Sequence, residues 1–229
     1  FGDQRDSLGL LDHGWIHVYA KDAQEALDLA LLAYGVAEDP RVSMPVMVNL
    51  DGFALTHTYE RVEVPTPEKA DAFLPPYKTK NCFDFDNPVN RAFSAGPAYN
   101  RYFKYREHVD MEQAFTVIDE VEQKFADVFG RRYTGAIEAV DCDDADYLLI
   151  TLGTISGLAE EGASRLRDNG VRAGVVRIRY MRPFPYDQIV EALSGAQAVG
   201  VLEKDVSFGA EGTVFTNVNS ALHRAGCVV

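Results

Sequence analysis

The sequence is poor in the features that would mark a secreted, membrane-spanning or nucleic-acid-binding protein. Its 229 residues hold three cysteines, Cys82, Cys142 and Cys227, far apart and with no CxxC pair. That excludes a disulfide framework, carries no iron–sulfur or zinc signature, and points to a reducing, cytoplasmic setting. Basic residues are scarce: 22 Lys and Arg stand against 35 Asp and Glu, a net charge of −13. No basic footprint remains for a phosphate backbone or an anionic membrane, so neither nucleic acid nor membrane is expected as a partner. No apolar run approaches the length of a membrane span, and the amino end lacks the basic-then-apolar pattern of a signal peptide. No strand is followed by GxGxxG, which disfavours a dinucleotide-binding dehydrogenase. The chain starts at Phe1 instead of Met, and the expectation is that it begins inside a longer polypeptide.

What is present is alternation. Across residues 145–212 short apolar runs alternate with helix-like segments. YLLIT at 147–151 is too short for a helix, and Gly153 and Gly157 punctuate its end. Residues 159–169 place charge on one side and Leu158, Ala159, Ala163 and Leu166 on the other, and Gly170 stops the helix. RAGVVRIRY at 172–180 reads as a second strand, 186–194 as a short helix, and AQAVGVL at 196–202 as a third strand. Strands separated by helices of this length pair in parallel, and ligands gather at their carboxyl ends. Those ends are 153–156, 182–185 and 203–209. The glycines of FGAEG, 208–212, precede a helix and would let backbone amides approach an anion, although the segment lacks the Lys and spacing of a P-loop.

The first sixty residues repeat the theme. FGDQRDSLGLLDHG packs Asp3, Gln4, Arg5, Asp6, Asp12 and His13 into a glycine-rich loop. It reads either as a functional loop at a strand end or as a solvated terminus. A strand at 15–19 leads to a helix at 21–34, with Asp22 as cap, Glu25 three residues on, and Ala26, Leu27, Ala30, Leu31 and Tyr34 as its buried face. PVMVNL at 45–50 is a buried strand running into Asp51-Gly52-Phe53, with His57 just beyond. Asp51 and His57 read as an acid and base over a site, or as a turn cap and a loop hydrogen bond.

Between residues 61 and 106 periodicity dissolves into prolines and rings: Phe73, Tyr77, Phe83, Phe85, Phe93, Tyr99, Tyr102, Phe103 and Tyr105. Such a linker is expected to be plastered over a surface or a partner subunit. A long amphipathic helix follows at 107–129, with Ala114, Ile118, Val121, Phe125 and Val128 as its apolar stripe and Gly130 as its stop.

In order, GDQRD, HGWI, VYAKDAQEALDLAL, PVMVNLDGFALTHTYE, FLPPYK, FADVFGRRY, LLITLGTISGLA, IRYMRPFP and VGVLEKDVSFGAEG resemble the alpha subunit of pyruvate:ferredoxin oxidoreductase and its 2-oxoacid relatives. The resemblance covers nearly the whole chain. It implies an α/β fold in which residues 1–60 form the later part of a thiamine-diphosphate pyrimidine-side domain. Residues 61–106 are then a linker, and 107–229 a long helix plus a domain similar to the carboxyl-terminal domain of transketolase, with a mainly parallel sheet.

The implied activity is oxidative decarboxylation of a 2-oxoacid, pyruvate first and phenylglyoxylate or oxalate as rivals, to acyl-CoA and CO2, with electrons passed to ferredoxin. Thiamine diphosphate with Mg, iron–sulfur clusters and CoA would be bound mainly by other segments or by beta, gamma and delta-type subunits. The family's catalytic residues would precede Phe1. The resemblance moves Asp3, Gln4, Asp6, Asp51, Phe53 and His57 to the border of the active site, in a supporting or interface role. An assembly module that docks a catalytic subunit is the alternative of a different class.

Overall fold

The computed structural model describes residues 2–79, 82–90 and 94–227; Phe1 of the opening loop and Phe93 of the ring-rich stretch lie outside them. The chain builds two sheets. The first is three-stranded, β2-β1-β6, from β1 (Ile16–Tyr19), β2 (Val46–Asn49) and β6 (Tyr180–Arg182). The second is four-stranded, β3-β5-β4-β7, from β3 (Ile137–Val140), β4 (Tyr147–Leu152), β5 (Ala173–Ile178) and β7 (Ala198–Leu202). The helices are α1 (Arg5–Leu8), α2 (Ala23–Ala37), α3 (Pro67–Phe73), α4 (Pro97–Phe129), α5 (Ile155–Asp168), α6 (Tyr186–Leu193) and α7 (Thr213–Arg224).

The expected α/β architecture is present, with mixed sheets. β1 pairs in parallel with β2, and β4 pairs in parallel with both β5 and β7. β3, which carries too short an apolar run to stand out in the sequence, closes the second sheet as an antiparallel edge against β5. β4 and β5 bury both faces, and α6 and α7 pack Ile189, Leu193, Val214, Val218 and Ala221 over Leu148, Ile150, Leu152, Val176 and Ile178. Each large aliphatic side chain so removed from water contributes about 1.5–3 kcal/mol.

The run at 172–180 is not one strand. It breaks at Arg179, and the chain steps from the second sheet into the first, where β6 pairs antiparallel with β1. The cause is a buried charge. Arg179 is 2% exposed, its Nε donates to Glu25 Oε1 at 2.8 Å, and its Nη1 donates to the Gly135 carbonyl at 2.8 Å. Arg177, fully buried, donates to Glu25, to Glu138 at 2.8 Å and to the Tyr19 carbonyl at 2.9 Å. Two guanidiniums from the second unit thus converge on one carboxylate from α2 of the first, at the point where the backbone changes sheets.

The same pairing rotates α2. Its buried residues are Glu25, Asp28, Leu29, Leu32 and Val36, while Tyr34 of the expected face is 60% exposed. A hydrophobicity pattern places carboxylates outside. Here Asp28 faces inward because Arg131 donates to it twice, at 2.7 and 2.8 Å, and the Tyr133 hydroxyl donates at 2.7 Å. The expected cap holds: Asp22 accepts from the Glu25 amide at 2.8 Å, and Glu25 accepts from the Lys21 amide at 2.7 Å.

α4 begins at Pro97, ten residues before the apolar stripe signals a helix, because Gly96-Pro97 supplies a start with its dihedral preset. Its apolar face from Ala114 onward packs Val117, Ile118, Phe125 and Phe129 against α2 and α3. Residues 97–106 are exposed. Of the ring-rich stretch, Phe73 is buried at 2%, whereas Phe83, Phe85, Tyr99, Tyr102, Phe103 and Tyr105 face outward. The rings therefore do not cover the two sheets, because most of them sit on turns and on one protruding helix end. No described helix is long and apolar enough to cross a membrane, and the three cysteines are free.

Candidate functional site

Two parallel strands, β1 and β2, end side by side, and the loop before α1 returns across those ends. The space between is a cleft of about 330 Å³ lined by Gly2, Asp3, Gln4, Asp6, Ser7, Tyr19, Asn49, Leu50, Asp51 and Gly52. Carboxyl ends of parallel strands collect ligands because the loops there diverge and leave backbone and side-chain polar groups facing a common space.

Asp51 anchors the cleft to the second sheet. It is 4% exposed and accepts from Gln4 Nε2 at 2.8 Å, from the Thr154 amide at 2.8 Å, from the Thr154 hydroxyl, and from Lys204 Nζ at 3.0 Å. Lys204 Nζ also donates to Thr154 Oγ1 at 2.9 Å. Burial alone would push this carboxyl up; the donors from Thr154, Lys204 and Gln4 outweigh it and hold the pKa below the ordinary 3.8. Thr154 opens α5 and Lys204 follows β7, so one carboxylate gathers three strand ends from two sheets. Gly153 lets them meet. Its φ is +70°, and a Cβ there would lie 2.5 Å from Gln4 Nε2 and 2.8 Å from Asp51 Oδ2.

Opposite Asp51, the Ser7 hydroxyl donates to the Gln4 carbonyl at 3.1 Å and lies 2.9 Å from the Tyr19 hydroxyl. Ser7 has one proton, so Tyr19 is the donor in that pair. Burial drives the Tyr19 phenol well above its ordinary pKa, keeping it neutral. Gln4 is 3% exposed; its Nε2 points to Asp51 and the Leu152 carbonyl, and its Oε1 has no hydrogen-bond partner. Arg5 pairs with Asp3 at the rim and lies 5.1 Å over the ring of Phe208, so the loop after β7 borders the same opening.

Of the six residues singled out from the sequence, Asp3, Gln4, Asp6 and Asp51 share this cleft. Phe53 and His57 stand apart. Their rings stack on each other 4.5 Å apart, with Phe53 59% exposed, and His57 Nδ1 lies 2.8 Å from Thr56 Oγ1. No hydrogen bond joins Asp51 to His57 among the described residues. Ser7, Tyr19, Asn49, Thr154 and Lys204 escaped the sequence reading. The strand-end positions of Thr154 and Lys204 were visible, but nothing local links them to Asp51, which is 103 and 153 residues away. The amino end of α7 is not an open anion site. Glu203 occupies it, accepting from the amides of Val214 at 2.8 Å and Phe215 at 3.1 Å.

Comparison with known proteins follows the same two-part division. Residues 1–123 match the family model for pyruvate flavodoxin/ferredoxin oxidoreductase, thiamine diphosphate-binding, and residues 145–229 match pyruvate:ferredoxin oxidoreductase core domain II. The chain is 37% identical over 222 residues to pyruvate synthase subunit PorA of Methanothermobacter thermautotrophicus, covering 97% of this chain and 58% of the relative. It is 41% identical over 223 residues to the PorA subunit of Pyrococcus horikoshii, covering 97% of this chain and 56% of that one. Ketoisovalerate oxidoreductase subunit VorA of Pyrococcus abyssi is 38% identical over 225 residues, 98% of this chain and 56% of the relative. The chain thus spans a little over half the length of these relatives. Among solved structures, the 2-oxoglutarate:ferredoxin oxidoreductase of Magnetococcus marinus, with 2-oxoglutarate, coenzyme A and succinyl-CoA bound, superposes with a TM-score of 0.57 at 17% identity. That match covers 99% of this chain and 41% of the other, and it speaks to fold alone.

Proposed function

The chain belongs to the pyruvate flavodoxin/ferredoxin oxidoreductase family, and from that premise we propose that it works as the alpha-type part of a 2-oxoacid oxidoreductase. The reaction is thiamine- and CoA-dependent oxidative decarboxylation, with pyruvate as the favoured 2-oxoacid and ferredoxin as the electron acceptor, in the cytoplasm. The single observation that carries this reading is the near-complete cover of the chain by two family models in the family's order, residues 1–123 and 145–229.

The residues present contribute a wall, not the reacting groups. Thiamine diphosphate, when bound, supplies the carbanion chemistry. The cleft does not fit its diphosphate: the nearby cations are committed, Arg5 to Asp3 and Lys204 to Asp51. Nor does it fit a metal, since no described group of three His, Cys, Asp or Glu side chains converges. Those moieties are assigned to other segments or subunits. This chain's own residues hold the geometry: Asp51, Thr154 and Lys204 lock the two α/β units together, and Tyr19 and Ser7 fix the loop that crosses the strand ends. The exposed rings of residues 97–106 are the surface we assign to partner subunits.

The test is an assay of the intact complex purified with this chain. Pyruvate- and CoA-dependent reduction of ferredoxin that disappears when thiamine diphosphate is stripped supports the reading. A complex that carries neither thiamine nor clusters, and reduces nothing on addition of any 2-oxoacid, refutes it and leaves a docking role.

A further inference from the structure

The second sheet has two edges, and they are built differently. β3 carries Glu138, whose carboxylate pairs with Lys21 and Arg177, and a charge on an edge strand discourages a further strand. β7, Ala-Val-Gly-Val-Leu, has neither charge nor proline and pairs with β4 alone. An uninterrupted apolar run of this kind belongs inside a parallel sheet.

The two faces of β7 are also unequal. Val199 and Val201 pack against the core under α6 and α7, whereas Ala198, Gly200 and Leu202 are exposed on the opposite face. α5 lies on that opposite face but covers β5 and β4, with Ala159 and Ala163 against Ala173, Val175 and Leu149. Beside it runs an open groove of about 670 Å³, lined by Tyr147, Leu149, Leu158, Leu166 and Leu202 among others, and no lining residue is charged. Leu158 is 75% exposed.

Topology dictates what comes next. β4 to β5 steps one way across the sheet with α5 on one face; β5 to β7 steps back past β4 with α6 on the other. Crossovers of a single hand require that exchange of faces. α7 shares the face of α6, so a further crossover of the same hand continues in the same direction and delivers a parallel strand to the free edge of β7. The helix ends agree. Gly170, Gly195 and Gly226 each stand two residues past a helix, at φ of +82°, +92° and +68°. β5 and β7 begin three residues beyond the first two of these glycines. From Gly226 the same interval runs past Cys227, the last described residue. The PorA relatives have the length to continue it, since this chain spans a little over half of theirs.

We propose that the free edge of β7 and the groove beside it seat the polypeptide that follows α7. One more strand lies parallel to β7, and a helix then lies alongside α5 with its apolar face on Leu158, Leu166 and Leu202, because helices are what cover the faces of a parallel sheet. The edge keeps this role whatever reaction the cleft serves.

Hydrogen–deuterium exchange on the full natural chain, as an isolated monomer and in its intact complex, provides the test. Paired on one side, β7 leaves alternate amides open to solvent; paired on both, it leaves none. In the monomer, the β7 amides that do not bond to β4 are expected to exchange at least about tenfold more slowly than free amides, with no further slowing in the complex. Leu158→Glu is expected to lower the Tm of the monomer by about 5 °C, and Leu158→Ser, a milder change in case the glutamate prevents folding, by about 2 °C. Protection that appears only where the chain dimerises assigns the edge to a second copy, and protection only in the complex assigns it to a partner subunit. Either result overturns the proposal, as does a β7 edge that stays open throughout or a Tm unchanged in both variants.

Discussion

Replacing Asp51 by alanine should be among the most costly single changes in the junction between the two α/β units. The carboxylate is 4% exposed and accepts four donors. Its loss leaves the buried Gln4 amide and the Thr154 amide without partners, at about 1–3 kcal/mol each. Lys204, whose side chain is 26% exposed, can turn to water, so its contribution is discounted. Because these costs overlap, the net expectation is about 3–4 kcal/mol.

Asp51→Asn should cost less, about 1–2 kcal/mol, because the Gln4 amide can reverse and accept from the new NH2 group. Urea denaturation of the intact chain reads both, with a midpoint shift of about 1 M for alanine. The pH dependence supplies an independent check. Asp51 has a folded pKa below its ordinary 3.8, so the unfolded chain binds its proton first as acid is added. The stabilisation is therefore complete above that value and disappears as pH falls through the folded pKa. The wild-type advantage over Asp51→Ala should shrink over the same range. A loss below about 0.5 kcal/mol at pH 7, the size of an ordinary surface change, would refute the argument that this carboxylate holds the units together.

Further expectations concern the same framework. His17 is fully buried and its pKa is pushed down to about 4 by burial, with Arg182 and His13 adding repulsion. The unfolded chain, at an ordinary 6.5, protonates first, so stability is full above that value and declines by about 3 kcal/mol as pH falls to 4. His17→Phe should flatten that part of the stability profile, and an unchanged slope would count against it. Glu25→Gln leaves Arg177 and Arg179 buried with less compensating charge. It should cost about 3 kcal/mol, visible as a lowered thermal midpoint and faster amide exchange at β6; full retention of both would contradict the account. Gly153→Ala forces a Cβ into contact with Gln4 and Asp51 at a φ of +70°. It should cost about 1–3 kcal/mol and erase the acid-sensitive component attributed to Asp51, whereas a neutral outcome would show that the three strand ends have slack.

The exposed amino half of α4 shows where pattern reading loses its grip. Tyr99, Tyr102 and Phe103 do fall at i, i+3 and i+4, but the spacing is short and lies among prolines and scattered rings, so the stretch reads as linker; Pro97 and the backbone carry a continuous helix from there to Phe129. Helix formation needs only backbone hydrogen bonds and a start; amphipathicity is a consequence of burial on one side. The FGAEG segment fails in the opposite direction. Its glycines suggest an anion site, and an anion does sit there, but it belongs to Glu203 from the same loop.

Local sequence determined the order and kind of most elements. The apolar runs that become β1, β2, β4, β5 and β7, the Asp22 cap and the Gly130 stop each depend on residues within a turn or two of one another. The family, too, was legible from short motifs spread along the whole chain. Tertiary structure alone decided which charges go inside. Glu25 looks like a surface residue until it meets Arg177 and Arg179, and Asp28 until it meets Arg131, each across more than a hundred positions of chain. Their pairing rotates α2, breaks a predicted strand in two and joins the sheets. The same holds for Asp51, whose environment comes from Gln4, Thr154 and Lys204 at once. A buried charge is tolerated only with its partners, and partners so remote in sequence are specified by the fold that brings them together.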